Sequence, residues 1–485
     1  MSEMKLTSGK YAIFMNYILQ GANFLFPLIT YPYVTRVLGA KSLGTVSFAN
    51  SIANYFSAIA TFGLTTYAIR TSARVRNDKH ELSRTVGELF TANGVTTLLA
   101  VVLYALVIML FPRFREQWIL MLLFGISFMS DFLGVGWIYT ALEKYTYITV
   151  RTLIFKVITF FALLLLIHNT DDGIVYAAIL AGSNVCTNIV NYLYAQKMVR
   201  FRVQRGISFV GHYRYTKWFF IQSVALTLFS NMDITMLGLL GDQVQTGNYE
   251  AAVKIKTLLS ALVSSLGNLF LPRLSQFIKE EKMDAYWRTI HKSLSYNSFI
   301  SIPLIGFFLL ESNEVIALLC GDKYLYAGDM MKILVFTVYI IGISTVTGIQ
   351  ILLSMNKERN LLFSSVGGTA VNVLLNWLLI PKLFGVGAAI ATVLAEIAVL
   401  FLQIMFLYRM NIKVPILRLS VKAFVGTVFA VAAAFILQGW IPMNGLLEII
   451  VTAIVFAVVY LTMLLVLKEE IASDLVHMVL HRRKK

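Results

Sequence analysis

Apolar segments of about the length needed to cross a bilayer follow one another along nearly the whole chain. They fall at 11–35, 43–65, 86–111, 118–140, 148–168, 173–195, 216–240, 249–271, 293–317, 329–354, 361–381, 386–408, 416–439 and 446–467. A helix rising through hydrocarbon needs about 20 such residues, so the pattern predicts fourteen transmembrane helices. Hydrophobic residues make up 58% of the 485 and charged ones only 14%, a surplus that no water-facing globule could bury. A soluble enzyme, a disulfide scaffold and a disordered tail protein are excluded. The first apolar stretch is too long for a signal-peptide core and has no small-residue cleavage site, so it is expected to stay as helix 1. The two cysteines, Cys186 and Cys320, fall in different helices at different depths, where no structural disulfide is expected.

Charge tests the count. Lys and Arg concentrate on alternate connections, among them Arg70, Arg74, Arg76, Lys79 and Arg84, then Lys197 to Lys217, Arg273 to Lys292, Arg409 to Lys422 and the final Arg482 to Lys485. The intervening connections hold only Arg36, Lys41, Arg113, Arg115, Lys323 and Lys382. Positive-inside bias of this kind places both termini in the cytoplasm, and a missed helix would invert the orientation of every later one. The net charge of +16 then reflects loops held beside anionic lipid, and no nucleic-acid partner is implied. Segments 67–84 and 471–480 are either surface-lying amphipathic helices or solvated basic loops.

The stretch from Leu38-Gly39 to Ile52 recurs loosely from Leu240-Gly241 to Ile255, with Gly44 matching Gly247. The two copies lie six helices apart, and an even offset gives both halves one orientation. The expected architecture is an all-α polytopic membrane protein with two parallel six-helix lobes and two appended C-terminal helices. Its parts are an N-lobe at 1–200, a basic cytoplasmic linker at 201–215, a C-lobe at 216–410, helices 13 and 14 at 411–470 and a basic tail at 471–485. No phosphate-cradling Gly-x-x-x-x-Gly-Lys-Ser/Thr loop occurs, and the six histidines lack metal-ligand spacing. No catalytic residues and no metal are expected, and the only cofactor in view is a coupling Na+ or H+.

Ionisable residues within spans are costly and point to a partner or a wet cavity. Asp131 and Lys156 sit at similar depths in helices 4 and 5, as do Asp233 and Lys256 in helices 7 and 8. Each pair is read either as a structural ion pair or as part of a site. Lys254 stands near Lys256 with Glu250 one turn away, and Glu396 is mid-span in helix 12 as a coupling-cation site or a hydrogen-bonded structural acid. Arg36 and Lys332 lie close enough to span ends to snorkel. Pro27 and Pro32 interrupt helix 1 and Pro303 interrupts helix 9, making them hinge candidates.

The run Tyr-Val-Thr-Arg-Val-Leu-Gly-Ala-Lys-Ser-Leu-Gly at 33–44 with Phe62-Gly63-Leu64 resembles the first hairpin of polysaccharide-transporter proteins. Gly342-Ile343-Ser344, Gly348 to Leu352, Asn356-Lys357-Glu358, Asn372 to Asn376 and Gly385 to Thr392 extend the likeness into the second half. The chain thus resembles the Wzx-type lipid-linked oligosaccharide flippases of the multidrug/oligosaccharidyl-lipid/polysaccharide (MOP) exporter superfamily. That resemblance implies a bacterial cytoplasmic membrane, alternating access, and a substrate of undecaprenyl diphosphate carrying an oligosaccharide or teichoic-acid repeat. Glycan polymerase or ligase machinery and membrane lipids would be its partners. Lys254, Lys256, Arg36 and Lys156 would hold the diphosphate or acidic sugars, with Asp131, Asp233 and Glu396 as charge partners or coupling groups. Two alternatives stay open, a cation-coupled drug or toxin exporter and a lipid II flippase. Helix 1 has no arginine between its ends, unlike lipid II flippases, and no acid between Tyr11 and Tyr33, unlike drug exporters.

Overall fold

The computed structural model describes residues 9–199, 201, 209–324, 326–440 and 445–473. Among these residues there is no strand. Residues 202–208 of the expected linker and the basic tail beyond residue 473 lie outside the described residues, as does most of the segment at 471–480.

The elements in chain order are α1 (Gly9–Thr61), α2 (Leu64–Arg74), α3 (Lys79–Leu110), α4 (Pro112–Arg115), α5 (Trp118–Ser130), a 3-10 turn (Asp131–Leu133), α6 (Gly136–Ala141), α7 (Tyr145–Leu166), α8 (Gly173–Ala195) and α9 (Phe209–Leu240). They continue with α10 (Gln243–Lys279), α11 (Met283–Cys320), α12 (Ala327–Leu334), α13 (Phe336–Ser344), a π-helical stretch (Thr345–Leu353), α14 (Glu358–Arg409), α15 (Ile416–Trp440) and α16 (Leu446–Val466). Among the described residues, ten helical segments have the length and apolar character to cross a membrane. Their outward faces carry large apolar side chains, such as Leu98, Leu106 and Leu110 on α3 or Phe401, Phe424 and Phe435 further on, all exposed. Such surface is stable only against lipid, and the chain is a multi-pass membrane protein.

Two very long helices are each broken once. In α1 the backbone leaves helical geometry at Gly39, with φ 72° and ψ 173°. An L side chain rarely adopts that conformation, and glycine does so without penalty. Pro27 and Pro32 lie within the helical part of α1, so the departure falls at Gly39, inside the repeated stretch, and not at either proline. In α14 the break is at Phe384, with φ 48°. Close to it, a Cβ on Gly387 would stand 2.6 Å from the Leu379 carbonyl oxygen. Pro303 lies inside α11.

The residues form two compact units, Met1–Leu239 and Leu240–Lys485. The repeat counts the seventh helix with the second half, whereas the packing of α9 puts it in the first unit. That unit has one core around Phe48, Tyr104, Met121 and Phe128 and another around Leu82, Leu89, Ile138 and Tyr139. The second unit has a core around Tyr286, Ile290, Ile351 and Leu407. A smaller one, where α11 meets α15 and α16, includes Ala430, Phe456, Tyr460 and Leu464.

Segment 67–84 folds as α2 and the start of α3. Leu64, Ala68 and Ser72 bury one stripe of α2 at i, i+4 spacing while Arg70 places its guanidinium 5.6 Å from the centre of the Phe219 ring. This basic, one-sided helix matches the amphipathic expectation.

Candidate functional site

Hydroxyl and amide side chains recur at helical spacing along the second part of α1: Ser51, Asn54, Ser57 and Thr61. In α9 the same holds for Ser223, Thr227, Ser230, Asn231 and Thr235. Residues three or four apart share a helix face, so each helix presents one polar stripe. The stripes meet. Ser51 Oγ lies 2.8 Å and Tyr55 Oη 2.9 Å from Thr235 Oγ1, and Asn54 Nδ2 donates to Asn231 Oδ1 at 2.9 Å. A hollow of about 370 Å³ opens along this seam, lined by Asn54, Ser57, Thr61, Ser223, Thr227 and Asn231 among others.

Thr61 also lines a second hollow of about 170 Å³, shared with Thr65, Asn93, Asp131, Trp137 and Asn188. Asp131 stands where α5 tightens into the 3-10 turn. Its Oδ2 accepts from Ser57 Oγ at 2.7 Å, and its Oδ1 accepts from Asn184 Nδ2 and Asn188 Nδ2, both at 3.1 Å. Three neutral donors converge on one half-buried carboxyl group and leave neither of its oxygens without a partner.

The expected Asp131 to Lys156 pair does not form. Lys156 instead sets its ammonium 5.3 Å from the centre of the Phe26 ring. Depth along each helix is legible in the sequence, but rotation about the axis is not, and it is rotation that decides which neighbour a side chain meets. Asp233 is buried at 8% exposure in α9 of the first unit, whereas Lys254 and Lys256 are half-buried in α10 of the second. Glu250, one turn before Lys254, is within electrostatic reach of both lysines. Arg36 is exposed on α1. Glu396 is buried at 7% exposure in α14. Lys332 makes a 3.3 Å ion pair with Asp329 in α12.

Ranking the charges in the sequence passes over the neutral polar stripes. Their signal is present, since Asn184, Asn188 and Asn191 repeat at i, i+4 and i+7 in α8 just as the α1 and α9 stripes do. No cluster of metal-ligating side chains suited to an ion occurs among the described residues.

A many-helix membrane protein with polar hollows inside one compact unit has the character of a transporter, and the comparisons bear on that class. A family model described as polysaccharide biosynthesis protein matches residues 12–278, more than half of the chain, and the chain belongs to that family. It is 21% identical over 414 residues to a protein of Escherichia coli (strain K12) named "Putative O-antigen transporter", with 84% of this chain and 98% of that one covered. Among solved structures it is similar to the lipid II flippase MurJ in an inward closed conformation, with a TM-score of 0.70 and 16% identity over 93% of this chain and 99% of the other. It is also similar to an inward-facing MATE family multidrug resistance transporter of the MOP superfamily, with a TM-score of 0.62 and 11% identity over 82% and 99%. At such identities the structural likeness is one of fold.

Proposed function

We propose that the protein is a flippase for a lipid-linked oligosaccharide of the cell envelope, working by alternating access in a bacterial cytoplasmic membrane. On this reading the fourteen spans and cytoplasmic termini expected from charge hold. The repeat-related halves are the parts that move, and the lipid carrier is undecaprenyl diphosphate. The protein itself makes no covalent change in the glycan.

The observation that carries the reading is the uncharged lining of the larger hollow. Sugar hydroxyls both donate and accept, and Asn, Ser and Thr side chains do the same. A drug cation would call for exposed carboxylates, whereas the carboxylate lining the smaller hollow, Asp131, is already occupied by three donors. A volume of about 370 Å³ falls in the range of small-ligand pockets, about 300–1,000 Å³. Membership in the polysaccharide biosynthesis family supports the same substrate class. The missing helix 1 arginines argue against lipid II. Lys254 and Lys256 are the candidate diphosphate contacts, with Arg36 and Lys156 as further cations and Pro27, Pro32 and Pro303 as candidate bends. The polyprenyl tail can remain in the bilayer while the head crosses, and no hydrocarbon passage of the charged head is needed.

The test is a Lys254→Ala/Lys256→Ala double variant in cells that lack the chromosomal copy. Loss of a charge-assisted hydrogen bond is worth about 1.5–3 kcal/mol, so export should fall roughly tenfold or more. Lipid-linked glycan should accumulate in the inner leaflet with the protein still in the membrane. Normal surface glycan in that strain would remove both lysines from the site. Unchanged glycan lipids in the complete deletion would sink the substrate class.

A further inference from the structure

Where α11, α15 and α16 pack together in the second unit, three carboxyl groups gather without an evident countercharge. Glu311 of α11 is completely buried. Its Oε1 accepts from Gln438 Nε2 of α15 at 2.6 Å, and the same amide nitrogen lies 3.5 Å from Glu448 Oε1 of α16. No well-formed hydrogen bond reaches Glu311 Oε2 or the Thr452 hydroxyl of α16, which is also completely buried, although the Thr452 hydroxyl lies close enough to the Glu311 carboxyl to interact with it. The charges that reach Glu311 are those of Glu448 on α16 and Glu314 on its own helix, while α15 contributes the neutral Gln438. Glu448 and Glu314 are half-buried.

An ionised carboxylate in such a place costs several kcal/mol unless something neutralises it, and two like charges around one amide add to that cost. Lysine and arginine do this at most intramembrane acids. Here the grouping of three acids does not have the geometry of a metal site among the described residues. A proton is the smallest neutralising ligand, and it gives the Glu311 carboxyl a donor with the Thr452 hydroxyl within reach as acceptor. Glu448 lies two residues from the start of α16, and the half-buried Glu448 and Glu314 offer a route in from the end of the bundle where α15 gives way to α16.

We propose that Glu311, with Gln438, Glu448 and Thr452 around it, is a proton-binding site that loads and unloads as the protein works. The reaction is simple protonation: a proton adds to the Glu311 carboxylate, Oε2–H donates to Thr452 Oγ1, and Gln438 keeps its bond to Oε1. Nothing is oxidised or reduced. The site belongs to the second unit and the α1–α9 hollow to the first, and the proposal is independent of what the protein carries.

The experiment is infrared difference spectroscopy of the purified full chain in phosphatidylethanolamine/phosphatidylglycerol vesicles, titrated with acid and base in H2O and in D2O. A protonated-carboxyl band should rise and fall with pH and shift on deuteration, and Glu311→Gln should abolish it. Glu448→Gln removes a like charge and should lower proton affinity at the site several-fold without abolishing the band, which keeps the test valid if the Glu311 variant folds poorly. A titrating carboxyl band identical in wild type and Glu311→Gln would overturn the assignment. So would a band that responds to Na+ at fixed pH and not to protons.

Discussion

Asp131 in the first unit and Glu311 in the second are both carboxyl groups set among membrane helices, and they are treated in opposite ways. Asp131 receives three hydrogen bonds, from Ser57, Asn184 and Asn188, and stands at the edge of a polar hollow. Glu311 receives one, from Gln438, and is closed off beside two further acids. The comparison teaches that neighbouring donors, more than depth along the helix, set how firmly an intramembrane acid is tied to its surroundings. A carboxyl group supplied with three donors is a structural hub. One with a single well-formed bond and two acids nearby is less firmly tied, which is what the proposed proton site requires.

Breaking the first half of this contrast should have the largest effect. Asp131→Ala removes the acceptor from three donors at once, and each unmet donor costs about 1–3 kcal/mol. A loss near 3 kcal/mol or more is expected in the melting of the purified protein, with a smaller loss for Asp131→Asn. By contrast Glu311→Gln keeps the carbonyl that Gln438 needs and should change stability by less than about 1 kcal/mol. Equal destabilisation by the two substitutions would erase the distinction.

Ser57→Ala sharpens the same point on a smaller scale. It deletes one donor and leaves Asn184 and Asn188 in place, so a loss of about 1 kcal/mol is expected in the same melting assay. The two losses should be non-additive when Ser57→Ala is combined with Asp131→Ala, because the bond is already gone in the single variant.

The smallest effect concerns acids outside the bilayer, where donors act in the same direction. Asp78 caps α3 by accepting from the backbone N–H groups of His80 and Glu81, and Asp172 accepts from those of His168 and Asn169. These bonds hold both carboxyls below the usual carboxylate range. A depressed folded-state value means that their stabilisation is complete above the ordinary value of about 4 and fades as pH falls through the depressed one. Melting followed from about pH 5 to pH 3 should show a shallower decline for Asp78→Asn than for the native chain.

The class of fold is legible in the sequence because apolar length and loop charge are properties of single segments. The break at Gly39 falls in the connection expected between spans 11–35 and 43–65. The Asp131 partnership is not legible, since a 3-10 turn at Asp131–Leu133 resets the rotation of α6, and no periodicity inside one helix fixes its angle against the next. Glu311 falls within an expected span, but no lysine at matching depth draws it out of the sequence. The neutral stripes of α1 and α9 can be read from i, i+3 and i+4 spacing alone. What they face depends on packing between segments far apart in the chain.

One element in the second unit holds a further consequence. The π-helical stretch Thr345–Leu353 carries Thr347, whose hydroxyl donates to Gln403 Oε1 at 2.6 Å, and the completely buried Gln350. A wide turn stores an extra residue, and releasing it would advance the register by one position, turning every side chain on one side of the stretch by about 100°. The same stretch in plain α-helical form would present a different face of one helix to its surroundings while the helix stays in place.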